Sequence, residues 1–167
     1  MKITIYTDGS SRGNPGPGGW ATIILTQDEV IELGGREDLT TNNRMELMGA
    51  IVGLKEIDRR HEGAVEVEIC TDSEYVRKGM TEWINGWVKK GWKTSTKKDV
   101  LNRDLWEKLL EEETRVKGAG IQVSWKYVPG HAGVAGNERA DEIATACADN
   151  ASHLQLYRGS REAYTAI

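Results

Sequence analysis

Four acidic residues lie at positions from which folding could bring their side chains into one site: Asp8, Glu46, Asp72 and Asp141. Asp8 and Asp72 each follow an alternating apolar segment typical of a β-strand, and open α/β sheets place ligand sites at the carboxyl ends of their strands. Glu46 heads a stripe of small residues on a predicted helix, and Asp141 falls in the first turn of the last predicted helix. Clustered carboxylates repel one another, so such a group either raises its pKa values or binds a cation.

The ligand types indicate which cation this would be. Oxygen ligands, with no Cys or His close by in the sequence, suit Mg²⁺, or Mn²⁺, better than zinc. Two such ions about 3.5 to 4 Å apart can activate a water molecule and stabilise the leaving oxygen of an in-line displacement, as in many nucleases. The pattern therefore points to phosphate chemistry.

Each acidic residue also has an ordinary structural interpretation. Asp8 opens a glycine-rich turn, Asp72 can cap a helix, and Asp141 can complement a helix dipole. Glu46 differs, because an acidic side chain on an inward-facing stripe is costly without a partner. From spacing alone, both interpretations stay open.

Two glycine-rich segments are candidates for a functional loop. His131 lies in the loop GHAGVAG (130–136), where a mobile imidazole could carry a proton near neutral pH; a solvated loop histidine fits as well. Residues 9–19 lack the pattern G-x-x-x-x-G-K-[ST] and do not fit G-x-G-x-x-G, which excludes a nucleotide-binding loop of either type.

The segment 77–103 is strongly basic in a chain whose net charge is −4. It carries eight basic residues against two acidic ones, a local charge of +6, and its lysines, Lys89 and Lys90 among them, are interleaved with tryptophans. This composition is typical of a surface that tracks phosphates and stacks sugars or bases. A solvated face over a tryptophan core is the open alternative.

Length and composition limit the class of protein. At 167 residues the chain has the size of one domain, and its apolar runs stay far below the roughly 20 residues that span a bilayer. The first residues do not resemble a signal peptide, so we expect a cytoplasmic protein that makes no membrane contact, and we also expect a monomer. Cys70 and Cys147 fall in a predicted strand and helix, which favours reduced thiols over a disulfide framework or a zinc site.

The order of elements predicts an α/β fold with a mixed sheet. Alternation predicts strands at about 2–8, 20–26, 29–36, 64–70 and 121–128. Helical periodicity predicts helices at about 41–60, from 72 into the basic segment, at 103–117 and from 137 to 148. Arg59, Arg60 and His61 lie at the carboxyl end of the first helix, and Asn137 is the predicted cap of the last. Residues 9–19 are predicted to form a turn, and 150–167 a loosely attached tail.

Separated blocks of the sequence, in order, resemble ribonuclease H type 1 of the bacterial form. They are YTDGSSRGNPGPGGWA, TTNNRMELMGAIVGL, TDSEYV, WINGWVKKGWKT, DLW and GHAGVAGNERADEIA. The resemblance covers about residues 3–148 and implies a five-stranded mixed sheet, three antiparallel strands plus two parallel, with helices on both faces. It also implies a catalytic domain at 1–149, with a basic protrusion at about 82–100, followed by a C-terminal tail at 150–167.

The resemblance also implies roles for individual residues. Asp8, Glu46, Asp72 and Asp141 would be the metal-binding catalytic carboxylates, and His131 would assist proton transfer or product release. The predicted substrate-binding residues are Asn14, Asn42 and Asn43 at the minor groove, where 2′-hydroxyls distinguish RNA from DNA, Thr41 with Asn102 at a DNA phosphate, and Trp83, Lys89 and Lys90 on the basic protrusion. Glu74 and Leu39 depart from the family pattern, which has Gln and a basic residue there.

The function that the resemblance implies is Mg²⁺-dependent hydrolysis of the RNA strand of RNA–DNA hybrids, giving 5′-phosphate and 3′-hydroxyl ends. The alternative from another class is a module that binds hybrids or duplex RNA without cutting, and a third is a nuclease of the same superfold that acts on DNA. A pure binder gains nothing from clustered negative charge near phosphates, which disfavours the binding module.

Overall fold

A computed structural model describes residues 1–58, 61 and 63–167. Over these residues the chain forms a mixed six-stranded sheet in the order β5-β4-β1-β2-β3-β6. The strands are β1 (Lys2–Ser11), β2 (Gly16–Leu25), β3 (Glu29–Thr40), β4 (Glu66–Thr71), β5 (Gln122–Tyr127) and β6 (Arg158–Ser160). The helices are α1 (Asn42–Lys55), α2 (Glu74–Lys78), α3 (Ile84–Lys89), α4 (Arg103–Gly118) and α5 (Ala135–Ala148), with a π-helical segment (Gly79–Trp83) between α2 and α3.

Strand pairing confirms the predicted sheet. β1, β2 and β3 form an antiparallel meander, and β4 and β5 join the β1 edge in parallel. The short strand β6 pairs antiparallel with β3 and extends the predicted five strands to six.

Successive side chains of β1 point to opposite faces of the sheet, and each face is covered by helices. Ile3 and Ile5 are fully buried in the larger core with α1 and α4. Tyr6 points to the other face, where it packs in a smaller core with Ala140, Ile143 and other residues of α5. The sheet is therefore covered by α1 and α4 on one side and by α5 on the other.

The small-residue stripe on α1 packs against the sheet as predicted. Gly49 and Ala50 are buried, and Gly53 lies against the Ile5 side chain. Thr41 caps the helix by accepting a hydrogen bond from the Arg44 N–H. The helix ends at Lys55, earlier than predicted, and the predicted charges Arg59 and Arg60 lie outside the described residues.

The prediction of a turn over all of 9–19 is wrong. β1 continues to Ser11 and β2 already begins at Gly16, leaving only a short loop between them. Tertiary packing is the reason, because a Cβ at Gly19 would lie 2.3 Å from the Ala144 carbonyl oxygen. Glycine is needed here for the close approach of α5 to β2. Because glycine-rich segments are also typical of turns, the sequence predicted a turn where a strand forms.

The prediction of a loosely attached tail is also wrong. Residues on both sides of β6 contact the carboxylate of Glu32, whose side chain is fully buried. Arg139 of α5 forms an ion pair with it, and the Tyr157 N–H (2.9 Å) and the Tyr164 hydroxyl (2.5 Å) donate hydrogen bonds to it. Burial alone would raise the pKa of Glu32, but these donors outweigh it and lower the pKa.

We expect Tyr164→Phe to lower the free energy of unfolding by about 1.5 to 3 kcal/mol, the usual contribution of a hydrogen bond to a charged group. The substitution leaves a buried carboxylate with one donor fewer. Urea unfolding of both proteins measures the difference. Tyr157→Phe is the matched control, because the Tyr157 hydroxyl donates to the neutral Ser160 carbonyl, and it should cost about 1 kcal/mol or less. Equal losses in the two variants would contradict the anchoring role of Glu32.

Two further predictions concern membrane contact and thiols. Within the described part of the chain, no helix is long and apolar enough to cross a membrane. Cys70 and Cys147 are free thiols. Burial raises the pKa of the Cys70 thiol to about 11, so this thiol stays protonated and unreactive at neutral pH.

Candidate metal and substrate site

Three of the four predicted carboxylates converge at one edge of the sheet. β1 and β4 are parallel neighbours, with Thr7 paired to Thr71, so Asp8 and Asp72 follow at the same end of the two strands. Glu46 reaches them from α1. Ligand oxygens of Asp8, Glu46 and Asp72 all lie within 4.8 Å of one another, close enough to share a cation.

A glycine lets Glu46 approach Asp8. A Cβ at Gly9 would lie 2.3 Å from the Glu46 backbone nitrogen and 2.8 Å from the Met45 Cβ. α1 therefore packs directly on the residue that follows Asp8. The Gly9 N–H also donates to Asp8 Oδ1 at 2.8 Å, which orients the carboxylate.

The carboxylates of Asp8 and Glu46 are almost inaccessible, at 3% and 4% exposure. Asp8 Oδ2 and Glu46 Oε2 are buried without a hydrogen-bond partner among the residues that the structure describes. Buried polar atoms are normally satisfied. Two unsatisfied carboxylate oxygens in the same cluster fit a cation site, and an oxygen-only donor set fits Mg²⁺ or Mn²⁺.

The electrostatics of the cluster agree with this fit. Burial, together with the charges of Asp72 and Asp141, raises the pKa of Asp8 to about 8. Burial and the Asp8 charge raise the pKa of Glu46 well above its usual value, and burial also raises that of Asp72. Without a cation, the cluster holds protons that ordinary carboxylates would lose, so a divalent ion would compete with protons for these oxygens.

Asp141 stands farther from the cluster than predicted. It is not part of the group of three within 4.8 Å that the described residues form. Its charge nevertheless raises the pKa of both Asp8 and Asp72, so it lies within electrostatic reach. α5 begins at Ala135, which places Asp141 in the second turn and not, as predicted, in the first.

The loop before α5 lies beside Asp72. Val128 donates its N–H to the Thr71 carbonyl oxygen, so the loop starts next to the end of β4. His131 is exposed and has a left-handed backbone conformation (φ 55°). His131 is within electrostatic reach of Asp72, whose pKa is raised chiefly by burial.

Asn137 is not the helix cap that the sequence suggested. α5 begins two residues earlier, after Val134, and has no side-chain cap. The Asn137 side chain is instead buried (3% exposed) and lowers the pKa of Asp72 against the larger effect of burial. Its Oδ1 atom has no partner within the described part of the chain.

The predicted amide contacts gather at the start of α1. Asn14 Oδ1 accepts a hydrogen bond from the Asn42 N–H at 3.2 Å, and Asn42 and Asn43 are exposed. The three amides therefore lie on an open surface one helical turn from Glu46. Exposed amides are available as donors and acceptors for a ligand.

Thr41 and Asn102 lie on either side of Arg44, a residue that sequence reasoning missed. The Arg44 guanidinium donates to Asn102 Oδ1 at 3.3 Å and pairs with Asp104, which ties the start of α4 to the start of α1. Asn102 Nδ2 also donates to the Tyr75 hydroxyl. Asn102 is thus held firmly in place. The sequence signal was present in the block TTNNRMEL, where Arg44 is the basic residue.

The basic protrusion is only partly as predicted. Lys89 and Lys90 are exposed, and Trp83 remains 38% exposed as a flat surface beside them. Trp87 is half-buried, and Trp92 is 8% exposed and belongs to the core. Trp92 therefore packs inside the protrusion and cannot serve as a stacking surface.

The two departures from the family pattern have visible consequences. Leu39 is 73% exposed, and the nearby Arg36 is engaged with Asp38 and the Ala148 carbonyl oxygen. Glu74 forms a bidentate ion pair with Arg77, so its charge is locally compensated.

Comparison with known proteins gives one consistent result. The ribonuclease H family model matches residues 1–149. A ribonuclease H of Syntrophotalea carbinolica is 54% identical over 153 residues, which cover 91% of this chain and 95% of that protein, and one of Marinobacter nauticus is 52% identical over 143 residues, 86% and 91% of the two chains.

Solved structures agree with the sequence relatives. LC9-RNase H1, a type 1 RNase H with the type 2 active-site motif, has a TM-score of 0.74 at 32% identity, covering 89% of this chain and 72% of that one. LC11-RNase H1 in complex with an RNA/DNA hybrid has a TM-score of 0.62 at 26% identity, covering 89% and 98%.

Proposed function

The chain belongs to the ribonuclease H family, and we propose that it is a divalent-metal-dependent endonuclease that hydrolyses the RNA strand of RNA–DNA hybrids. The observation that carries the proposal is the meeting of Asp8, Glu46 and Asp72 within 4.8 Å. A hybrid-bound relative of the same fold supports the choice of substrate.

The metal is Mg²⁺, with Mn²⁺ as a substitute. Asp8, Glu46 and Asp72 would hold it through oxygens of which two are buried and unpartnered among the described residues, and Asp141 adds negative charge from α5. Two such ions, when bound, would supply the activation of a water and the stabilisation of the leaving oxygen in an in-line displacement. The products then carry 5′-phosphate and 3′-hydroxyl ends.

The protein's own residues position the substrate and move protons. His131, exposed and within electrostatic reach of Asp72, assists proton transfer or product release. Asn14, Asn42 and Asn43 present amides to 2′-hydroxyls in the minor groove. Thr41 and Asn102, beside Arg44, form the pocket for a DNA phosphate.

A non-catalytic binding module is not favoured. Three clustered carboxylates destabilise the folded chain and, when ionised, repel phosphates. A bound cation offsets both effects. The direct test incubates the chain and Mg²⁺ with a hybrid labelled on its RNA strand, beside duplex RNA and duplex DNA. We expect cleavage of the hybrid alone. Tight hybrid binding without Mg²⁺-dependent turnover would reject the proposal.

We expect Lys89→Ala/Lys90→Ala to make hybrid binding less dependent on salt. Each phosphate contact contributes about 0.9 to the slope of log affinity against log salt, so the double variant should flatten the slope by up to about 2. Fluorescence anisotropy with labelled hybrid in EDTA measures it.

Lys2→Ala is the matched control, because Lys2 lies at the opposite end of β1 from Asp8 and pairs with Glu68. Its slope should equal that of the wild type. An unchanged slope in the double variant would place the DNA-binding surface elsewhere.

A further inference from the structure

Asn102 precedes α4 but does not cap it. Its backbone has the left-handed conformation (φ 61°) that asparagine adopts more readily than most residues, and its side chain makes no capping hydrogen bond to α4, all of whose residues are described. An asparagine at this position ordinarily accepts hydrogen bonds from the first turn of the helix. Here the amide bonds to the side chains of Arg44 and Tyr75 instead. These two partners therefore decide which group of the amide can meet a ligand.

Arg44 determines which end of the Asn102 amide lies toward it. A guanidinium only donates hydrogen bonds, so the amide atom that accepts from Arg44 Nη1 at 3.3 Å is the oxygen Oδ1. The nitrogen Nδ2 then lies on the other side and donates one of its two hydrogens to the Tyr75 hydroxyl at 3.0 Å. Because the amide is held at both ends, it cannot flip, and the second Nδ2 hydrogen remains available for a ligand.

The Tyr75 hydroxyl is restricted in the same way. It accepts hydrogen bonds from Asn102 Nδ2 and from the Trp106 indole N–H, both at 3.0 Å. These two bonds use both lone pairs of the hydroxyl oxygen, so its own proton can only be donated. Thr41 Oγ1 likewise accepts from the Arg44 N–H, which leaves the Thr41 proton to donate. A ligand that fits these groups must accept hydrogen bonds.

A pocket of about 410 Å³ opens beside these donors. Its lining includes two amides, a hydroxyl and a basic side chain: Asn43, Asn102, Tyr75 and Lys98. The acidic residue in the lining, Asp99, is compensated by an ion pair with Lys93. Donors together with a positive charge favour an anion, and the phosphate of a nucleic-acid strand is the anion that the proposed function supplies.

Arg44 itself is already engaged by a carboxylate. Its guanidinium forms a bidentate ion pair with Asp104, at 3.0 and 2.8 Å, in addition to its bond to Asn102. The Asp104 carboxylate compensates the charge of Arg44 and would repel a phosphate placed beside it. Arg44 therefore acts on a bound anion through Asn102 and not by direct contact.

We propose that Arg44 and Tyr75 are positioning residues of the pocket for a DNA-strand phosphate, because they hold the Asn102 amide so that an N–H, and not the carbonyl oxygen, meets the phosphate. The proposal rests on the proposed function and adds the residues that determine how its phosphate pocket works. A phosphate oxygen only accepts hydrogen bonds, so a flipped amide would repel it. A hydrogen bond to a charged group contributes roughly 10- to 100-fold in affinity.

A scan of neutral methylphosphonate linkages along the DNA strand of a hybrid tests the proposal. Each linkage removes the charge of one phosphate, and fluorescence anisotropy in EDTA measures binding without cleavage. We expect the wild type to lose about tenfold in affinity at one linkage, the one that Asn102 contacts. In Asn102→Ala, Arg44→Met and Tyr75→Phe, the loss at this linkage should shrink to about twofold. Losses at linkages bound by Lys89 and Lys90 should stay as in the wild type.

Arg115→Met is the matched control for Arg44→Met. Arg115 also ties α4 to α1, but at the other ends of the two helices, by donating to the carbonyl oxygens of Leu54 and Ile57, both at 2.8 Å. This variant should melt at a lower temperature and keep the wild-type scan. Loosening of the two helices alone would therefore not reproduce the effect.

Tyr75→Phe is the variant that disturbs packing least. It keeps the ring that lies against Trp83 and Trp106 and removes only the hydroxyl. In hybrid cleavage at saturating Mg²⁺ it should raise KM and leave kcat within about twofold, since the contact that it weakens binds the ground state and the transition state alike.

The outcomes separate this proposal from the proposed function. A wild-type scan in both Arg44→Met and Tyr75→Phe, beside a wild-type chain that cuts hybrids, would overturn the positioning roles alone. An Asn102→Ala scan equal to that of the wild type would do the same. Absence of hybrid cleavage by the wild-type chain would overturn the proposed function, and this proposal with it.

Discussion

Asp8→Asn is expected to slow hybrid cleavage by at least about three orders of magnitude while hybrid binding persists. Asp8 is buried at the centre of the cluster, and the substitution removes a charged oxygen ligand without changing the shape of the side chain. A metal contributes several kcal/mol of transition-state stabilisation, and each 1.4 kcal/mol corresponds to a tenfold change in rate. Single-turnover cleavage of a labelled hybrid, with anisotropy for binding, measures both quantities.

Asp28→Asn is the matched control for loss of one negative charge. Asp28 is exposed in the turn between β2 and β3, away from the clustered carboxylates. We expect its rate to equal that of the wild type. Cleavage by Asp8→Asn within tenfold of the wild-type rate would show that Asp8 is not a required ligand.

The metal-free chain is expected to lose stability as the pH rises from about 5 to about 8. The pKa of Asp8 is about 8 in the folded protein against an ordinary value of 3.8. Between these values the folded state binds a proton that the unfolded state has lost, so raising the pH favours unfolding. One such group changes the free energy of unfolding by up to about 1.4 kcal/mol per pH unit, and the raised pKa of Glu46 acts in the same direction.

Urea unfolding at about pH 5.5 and pH 8, in EDTA and in Mg²⁺, measures this dependence. Bound Mg²⁺ should abolish most of the loss at pH 8, because the cation replaces the protons and binds only the folded state. Asp8→Asn in EDTA should be more stable than the wild type at pH 8. Equal or greater stability of the metal-free wild type at pH 8 would contradict the raised pKa values.

Local patterns predicted where each clustered carboxylate lies on its own strand or helix, and the family resemblance, not the spacing, predicted that they bind a metal. Asp8 and Asp72 follow alternating strands, and the small-residue stripe of α1 places Glu46 toward the sheet. These signals are short-range, and period-2 and period-3.6 patterns report directly which side of an element is buried. The parallel pairing of β1 with β4 then brings the two aspartates together.

What could not be predicted depends on contacts between distant segments. The last residues look featureless in sequence, yet Tyr157 and Tyr164 converge on Glu32 from more than a hundred positions away. Trp83 and Trp92 both lie in the basic segment, but only Trp83 is exposed. Periodicity carries no signal for either fact, because each depends on which surface the folded chain presents nearby.

The start of α5 is a third case of the same kind. Asn137 has the residue type of a helix cap, and the pattern of capping residues therefore misplaced the first turn. The structure begins the helix at Ala135, which buries Asn137 beside Asp72 and moves Asp141 into the second turn. Gly136 permits this, because a Cβ at this position would lie 2.4 Å from the ring of Tyr6.

The most direct test of the metal site is the anomalous difference map of crystals of the chain soaked in Mn²⁺. We predict a peak about 2 Å from carboxylate oxygens of Asp8, Glu46 and Asp72, as expected for a hard cation on oxygen ligands. A map with no peak between these three residues, at Mn²⁺ concentrations that support hybrid cleavage, would contradict the account.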